Sequence, residues 1–164
     1  MKLDVIRLPY TKEAKLSEEV SFDPEVYKCH FPLVEVLKCH ADVKVQRFEE
    51  FIYVTISIVA KVVLQCSYTL QNFETTIKGV DELHFASSNE DDDCIEFKGN
   101  TIELDPYIFN LLSASVPLSP KAPNAKAPTS GKGYRVLSEE EFAGEKEEKG
   151  NSQFDALKDL EFDE

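Results

Sequence analysis

The chain has 164 residues, of which 31 are acidic and 18 basic, for a formal net charge of −13. That length suffices for one domain with a real core plus a tail. The charge repels phosphates at long range, which argues against a stand-alone nucleic-acid binder and makes a basic protein the easier first contact.

In chain order, Leu3 to Tyr10 reads as a short first strand, with Leu3, Val5 and Arg7 on one face, and Ala14 to Phe22 as a second. Asp23-Pro24 marks a turn. Leu33 to Phe48 alternates as a strand, with Leu33, Leu37, Cys39, Ala41, Val43 and Val45 on one face and Lys38, His40, Asp42, Lys44 and Gln46 on the other. Phe51 to Cys66 is the strongest element. Ile52, Val54, Ile56, Ile58, Ala60, Val62 and Leu64 keep strict period two in a β-branched-rich run, the mark of a long half-buried strand. The short Arg47–Glu50 link between the two predicts an antiparallel hairpin, and the sixteen-residue length of Phe51–Cys66 predicts a bend or bulge in that strand. Phe73 to Phe85 predicts a further strand through Phe73, Thr75 and Ile77. After the acidic loop Ser87 to Asp93, Cys94–Phe97 and Thr101–Leu104 are short strand candidates around Gly99-Asn100. Asp105 then offers an N-cap and Pro106 a first helical position, with Ile108, Leu111, Leu112 and Val116 as the buried stripe and Pro117 as the stop.

Residues 117 to 135 carry Lys121, Lys126, Lys132 and Arg135, four prolines and two glycines, and no acid, which predicts an extended basic linker. From Ser138 the chain is strongly acidic. Ser138–Glu141 and Ser152–Asp155 have capping-box patterns, and Phe154, Leu157 and Leu160 form one small apolar stripe at helical spacing. Two fates fit that stripe: docking on a partner, or closing over the chain's own sheet.

Few constellations carry chemistry. Cys29-His30 and Cys39-His40 offer the donor types of a zinc site, but adjacent strand residues point to opposite faces, so Cys39 and His40 do not readily share a metal. Neither Cys66 nor Cys94 has an obvious cation or helix N-terminus to activate a thiol, and Cys94 follows three aspartates. Gly131-Lys132-Gly133 lacks the strand–helix context of a phosphate loop. The expectation is therefore no catalytic residue, no metal and no cofactor. No apolar run reaches the roughly 18 residues of a membrane span. Met1 to Tyr10 has no signal-peptide core, and the four cysteines are scattered, so a reduced, cytoplasmic protein is expected. The linker cations with Tyr134 are the right materials for a weak RNA contact, comprising Lys121, Lys126, Lys132, Tyr134 and Arg135.

Three segments together resemble a known family. A long strand runs into Cys66, followed seven residues on by Phe73; Ile102-Glu-Leu-Asp105 opens a helix that ends at Val116-Pro117-Leu-Ser-Pro120; and the chain closes on Phe154-Asp-Ala-Leu157-Lys-Asp-Leu160. This order is similar to the YceD-like family, the large ribosomal RNA subunit accumulation proteins, over most of the chain from about Leu33. The resemblance implies a factor needed for accumulation of 23S ribosomal RNA, with no enzymatic activity established for the family and members often encoded beside a small basic protein of the large subunit. Many members carry a Cys-x-x-Cys pair after the long strand. Here Cys66 matches the first position but Thr69 stands at the second, and Ser119 to Pro128 holds no cysteine or histidine, so a metal site formed by other members is not expected.

The combined expectation is an α+β protein: an antiparallel β-sheet or partly open barrel with one main helix (1–116), a Pro/Gly-rich basic linker (117–137) and an extended acidic tail with a short docking helix (138–164). Its expected role is a non-enzymatic ribosome biogenesis factor, an adaptor for a basic ribosomal protein or pre-ribosomal particle. Phe154, Leu157 and Leu160 would be the docking anchors, and Glu139, Glu140, Glu141, Glu147 and Glu148 the electrostatic partners. The alternative is direct ribosomal RNA binding or processing, using Lys38, Lys44, Arg47, Tyr53 and Lys61 around the central hairpin with Arg7 and the linker lysines.

Overall fold

The long period-two segments do fold as one hairpin, and the remaining elements assemble on it. The computed structural model describes residues 1–10, 12–87, 94–126, 131–137, 141, 142 and 144. The elements are β1 (Lys2–Asp4), β2 (Ala14–Val20), β3 (Leu33–Phe48), β4 (Phe51–Gln65), β5 (Asn72–Ala86), β6 (Ile95–Glu96), β7 (Thr101–Glu103) and α1 (Asp105–Ala114). Strands β2-β3-β4-β5-β6 form a five-stranded sheet, and β1 and β7 a separate antiparallel pair. The chain divides into two compact units, Met1–Pro123 and Asn124–Glu164.

β3 and β4 meet through a two-residue turn at Glu49-Glu50, with Phe48 opposite Phe51 and Glu49 at φ +52°. β4 is paired along its whole length on both sides, Ile52 with Arg47 and Phe85 at one end, Leu64 with Leu33 and Phe73 at the other. Its inner side chains from Ile52 to Leu64 are all buried. The core lies between this inner face and a second layer made of α1 and the β1–β7 pair. Leu3, Val5, Ile102, Leu104, Ile108 and Leu112 join the sheet residues in one cluster. Gly79, opposite Ile58 on β5, makes room for the helix: a Cβ there would collide with Ser115 Oγ and come within 3.0 Å of Leu111 Cδ1.

Several expectations need correction. The main sheet is antiparallel except at its edge, where β6 runs parallel to β5. It is open, with β2 and β6 at its two edges, so the described strands form no barrel; the β-rich α+β class stands. The first strand stops at Asp4, and Tyr10 lies outside it, forming an isolated bridge to Arg47. Asp105 does not cap α1. Leu104 holds the N-cap position with no side-chain cap, and the Asp105 carboxylate instead accepts the Met1 ammonium. Leu37 leaves the inner face because β3 carries two register shifts, between Leu33 and Glu35 and between Val36 and Lys38. Each inserts one residue, Val34 and then Leu37, and both side chains end up exposed. The extra residue of a bulge has no cross-strand partner and turns its side chain out of register.

The start of the predicted linker is anchored within the first unit. Ser67 donates its backbone N–H (2.8 Å) and its hydroxyl (3.1 Å) to the Pro120 carbonyl, and Pro120 is buried. In the second unit Gly131 and Tyr134 bond each other's backbones around a turn, with Gly133 at φ +90°. Glu141, Phe142 and Gly144 are helical. Residues 88–93, Glu139, Glu140, Glu147, Glu148 and the whole 151–164 segment with Phe154, Leu157 and Leu160 lie outside the described residues.

Candidate interaction surfaces

The outer face of the main sheet is mostly polar, and no described element of the first unit covers it. Register sets its rows. Lys38 stands directly opposite Lys61, and Lys15 opposite Lys44. Like charges facing each other across strands are unfavourable. In the first row each lysine is drawn outward to an acid on the far side, Lys38 to Glu19 at 2.6 Å and Lys61 to Glu74 at 2.5 Å. The row therefore reads acid, base, base, acid. Next to it Ser17 Oγ donates to Asp42 Oδ1 at 2.6 Å and lies 3.0 Å from His40 Nε2. At the turn end, Tyr53 packs edge-on against Phe48 (6.0 Å) and His84 (4.9 Å).

The residues proposed for direct RNA contact are thus divided. Lys38, Lys44, Tyr53 and Lys61 share the outer face, while Arg47 belongs to the other side. There its Nη1 donates to the Val5 carbonyl at 2.8 Å and its guanidinium lies 4.3 Å from the Tyr10 ring centroid. Arg7 is exposed beside Asp4 at 3.3 Å. Of the linker set, Lys121 lies over the Tyr68 ring at 5.1 Å, and Lys126, Lys132, Tyr134 and Arg135 are exposed.

The four cysteines occupy three kinds of setting. Cys39 is fully buried on the inner face while His40 faces outward, as strand alternation requires. Burial pushes the Cys39 thiol up to about 11. Cys29, half-buried, is also raised, by burial and then by the Glu35 carboxylate. Cys94 is half-buried just before β6. Cys66 is the surprise. It too is fully buried, but its sulfur accepts the Ala122 backbone N–H at 3.4 Å, and the Thr69 hydroxyl and the backbone N–H groups of Tyr68 and Thr69 also point to it. These donors, Ala122 first, pull the thiol down to about 7. The sequence around Cys66 offers no cation or helix N-terminus to activate it. Thr69 was the available signal, whereas Ala122 is 56 residues away and comes near only in the folded chain. Among the described residues no three His, Cys, Asp or Glu side chains converge as metal ligands would, and no helix is long and apolar enough to cross a membrane.

A third surface lies at the bulged end of β3. Phe22, Tyr27 and Phe109 form a ring cluster with centroids 5.1–5.4 Å apart, joining the β2–β3 connection to α1. Beside it opens a cavity of about 430 Å³ lined by these rings with Cys29, Val34 and Glu35. A second hollow of about 180 Å³ continues along Phe31, Ser113, Val116 and Leu118, and His30 lines both.

Fold and surfaces together define a one-sided β-sheet protein, with its core under one face, a charge-balanced open face and an apolar groove along one edge. A family model described as large ribosomal RNA subunit accumulation protein YceD matches residues 54–161. The chain belongs to that family, and with it to ribosome biogenesis, the accumulation of 23S ribosomal RNA and the large ribosomal subunit. The match takes in β4, β5, α1 and the acidic segment. No curated protein and no solved structure matches significantly. The family description names an accumulation factor and not a class of enzyme.

Proposed function

We propose that this chain is a non-enzymatic assembly factor of the large ribosomal subunit that works as an adaptor, holding a basic ribosomal protein or the pre-ribosomal particle that contains it. The observation that carries this reading is the family match combined with a net charge of −13. A protein so acidic meets ribosomal RNA only against repulsion, whereas a lysine- and arginine-rich ribosomal protein is drawn to it. In this reading Glu139, Glu140, Glu141, Glu147 and Glu148 supply the attraction, and Phe154, Leu157 and Leu160 the apolar anchors. The outer face favours the adaptor over direct RNA binding in one respect: two of its lysines, Lys38 and Lys61, are each matched by a glutamate.

The test is removal of residues 138–164 followed by gradient sedimentation with pre-ribosomal particles. Association is expected to fall, and association unchanged by the deletion would count against the tail. Titration with ribosomal RNA fragments at two salt concentrations separates the alternative: phosphate-driven binding must weaken steeply as salt rises.

A further inference from the structure

Strand β5 leaves most of one side unpaired. It runs from Asn72 to Ala86, β4 pairs with one side of it throughout, and β6 meets the other side only at Phe85 and Ala86. The hydrogen bonds at its two ends fix which residues turn outward. The Gln71 carbonyl accepts the Cys66 N–H at 2.9 Å, so odd-numbered positions turn their backbone groups to β4. The Ala86 carbonyl accepts the Phe97 N–H at 3.2 Å, so even-numbered positions turn theirs away. Asn72, Glu74, Thr76, Lys78 and Val80 therefore present N–H and C=O groups at the edge, where none has a backbone partner among the described residues. The next outward position differs: the Glu82 N–H is taken by the Asp81 carboxylate at 2.9 Å. The open stretch is thus 72–80, bounded on one side by the turn from β4 and on the other by Asp81 and then β6.

An edge of this kind pairs with another extended strand. Its own bounds and charges select the occupant. When residues 72–80 meet the same residues of a second copy, antiparallel and over their full length, the two-fold falls on Thr76. Thr76 then faces its counterpart, and Glu74 of each copy faces Lys78 of the other. Threonine pairs and opposite charges are favourable cross-strand neighbours. Lys78 is available for this, since it has no ion-pair partner among the described residues. Moving the two-fold to Lys78 would set lysine against lysine and Glu74 against Glu82, the position whose N–H Asp81 already occupies. On the inner side, half-buried Phe73 would face Gly79, and half-buried Thr75 would face Ile77. The outward pairs would exchange about ten backbone hydrogen bonds, as many as a typical protein interface carries. A net charge of −13 on each copy does not prevent this. Exposed charges more than about 8 Å apart are largely screened at physiological ionic strength, and the two glutamates and two lysines of the seam cancel. We infer that residues 72–80 of β5 pair antiparallel with the same residues of a second copy, joining two sheets through a two-fold at Thr76. Such a two-fold uses up this edge on both copies, so the pairing closes at two. The inference stands independently of the adaptor reading.

A charge swap in the full chain tests both the pairing and its register. Sedimentation equilibrium of the unaltered chain should show a concentration-dependent dimer. Lys78→Glu sets glutamate against Glu74 of the second copy, and Glu74→Lys sets lysine against Lys78. Each variant alone should dimerise about tenfold more weakly. Mixed in equal amounts, the two restore opposite charges at every facing pair, and the dimer should return as a heterodimer. Both positions are exposed, so thermal midpoints should stay close to that of the unaltered chain. Cross-linking gives a second readout, in a background where Cys29→Ser and Cys94→Ser remove the half-buried thiols. Facing residues of an antiparallel pair lie about 5.5 Å apart at Cα, within disulfide reach, so Thr76→Cys should yield a linked dimer on oxidation with copper phenanthroline. Val59→Cys, exposed on the outer face of β4 away from the edge, should not. A monomer at every concentration, equal linking at positions 59 and 76, or a mixture no tighter than either variant alone would overturn the pairing. So would a chain that dimerises only after residues 138–164 are removed, which would give the edge to the chain's own end.

Discussion

The two faces of the five-stranded sheet come from the same strands and obey opposite rules. On the inner face of β4, Ile52 through Leu64 meet the apolar side chains of β3, β5 and the helix layer, and all are buried. On the outer face, Tyr53, Thr55, Ser57, Val59 and Lys61 meet lysines, glutamates, serines and aromatic edges, and all keep contact with water. The difference shows where stability is concentrated in this molecule. Stability comes from area removed from water, so it concentrates on one side. The outer side, in contact with water, contributes less to it.

If that separation is real, the largest effect should come from the centre of the inner face. Ile58→Ala is expected to cost about 2–5 kcal/mol in urea unfolding, against a change within about 0.5 kcal/mol for Val59→Ala one residue away on the outer face. Similar losses at both positions would mean that the outer face is covered in solution. Gly79→Val comes next, at about 1–3 kcal/mol, because the added side chain must displace Ser115 and Leu111 and lift the end of α1 from β5. A neutral outcome there would show that the helix layer yields where the packing argues it cannot.

Two buried thiols sharpen the comparison from within the domain. The folded-state Cys66 lies at about 7, below its ordinary value of 9.0. Between those values the unfolded chain holds a proton that the folded chain has released, so this contribution to stability grows as pH rises from 7 to 9 and is lost as pH falls through about 7. Cys39 runs the other way. It is raised to about 11, so its contribution is fully present below 9.0 and is lost as pH climbs toward 11. Denaturation midpoints of wild type, Cys66→Ala and Cys39→Ala across pH 6 to 10.5, taken as differences, should show slopes of opposite sign in successive windows. Matching slopes would remove the assignment of Ala122 and Thr69 as donors to the Cys66 sulfur.

The smallest effect belongs to the outer row. Lys61→Ala breaks the ion pair with Glu74 but also relieves the facing Lys38, so unfolding should shift by no more than about 0.5 kcal/mol. A loss well above that would make the row structural and weaken the idea of a face free for contact.

Strict alternation from Phe51 onward was enough to place β4, its hairpin partner and the core residues along both, because a period of two leaves only one way to bury the apolar set. The same alternation separated Cys39 from His40. Strand length pointed to a bulge in Phe51–Cys66, but both inserted residues lie on β3; there apolar residues at 33, 34, 36 and 37 break period two, and the pattern alone cannot say which of them is extra, so Leu37 reads as inward. The Asp105 cap was a sound local inference defeated by a distant group, since the N-terminal ammonium reaches that carboxylate across the paired β1 and β7. The groove was not legible at all. Phe22, Tyr27, Phe31, Val34 and Phe109 share no spacing along the chain, and the basic linker hid the fact that Pro120 and Ala122 are held by Ser67 and Cys66.

By itself, then, the chain's sequence determined the strands, the identity of the buried face, the excess of negative charge and the family to which it belongs. Those properties depend on residue order and composition, and local sterics and hydrophobic burial read them directly. Tertiary structure alone decided which edge of the sheet carries an apolar groove, which lysines face each other, and why one buried cysteine resists ionisation while another favours it. Each of these depends on groups far apart in sequence being brought within a few ångströms, and no local pattern records that.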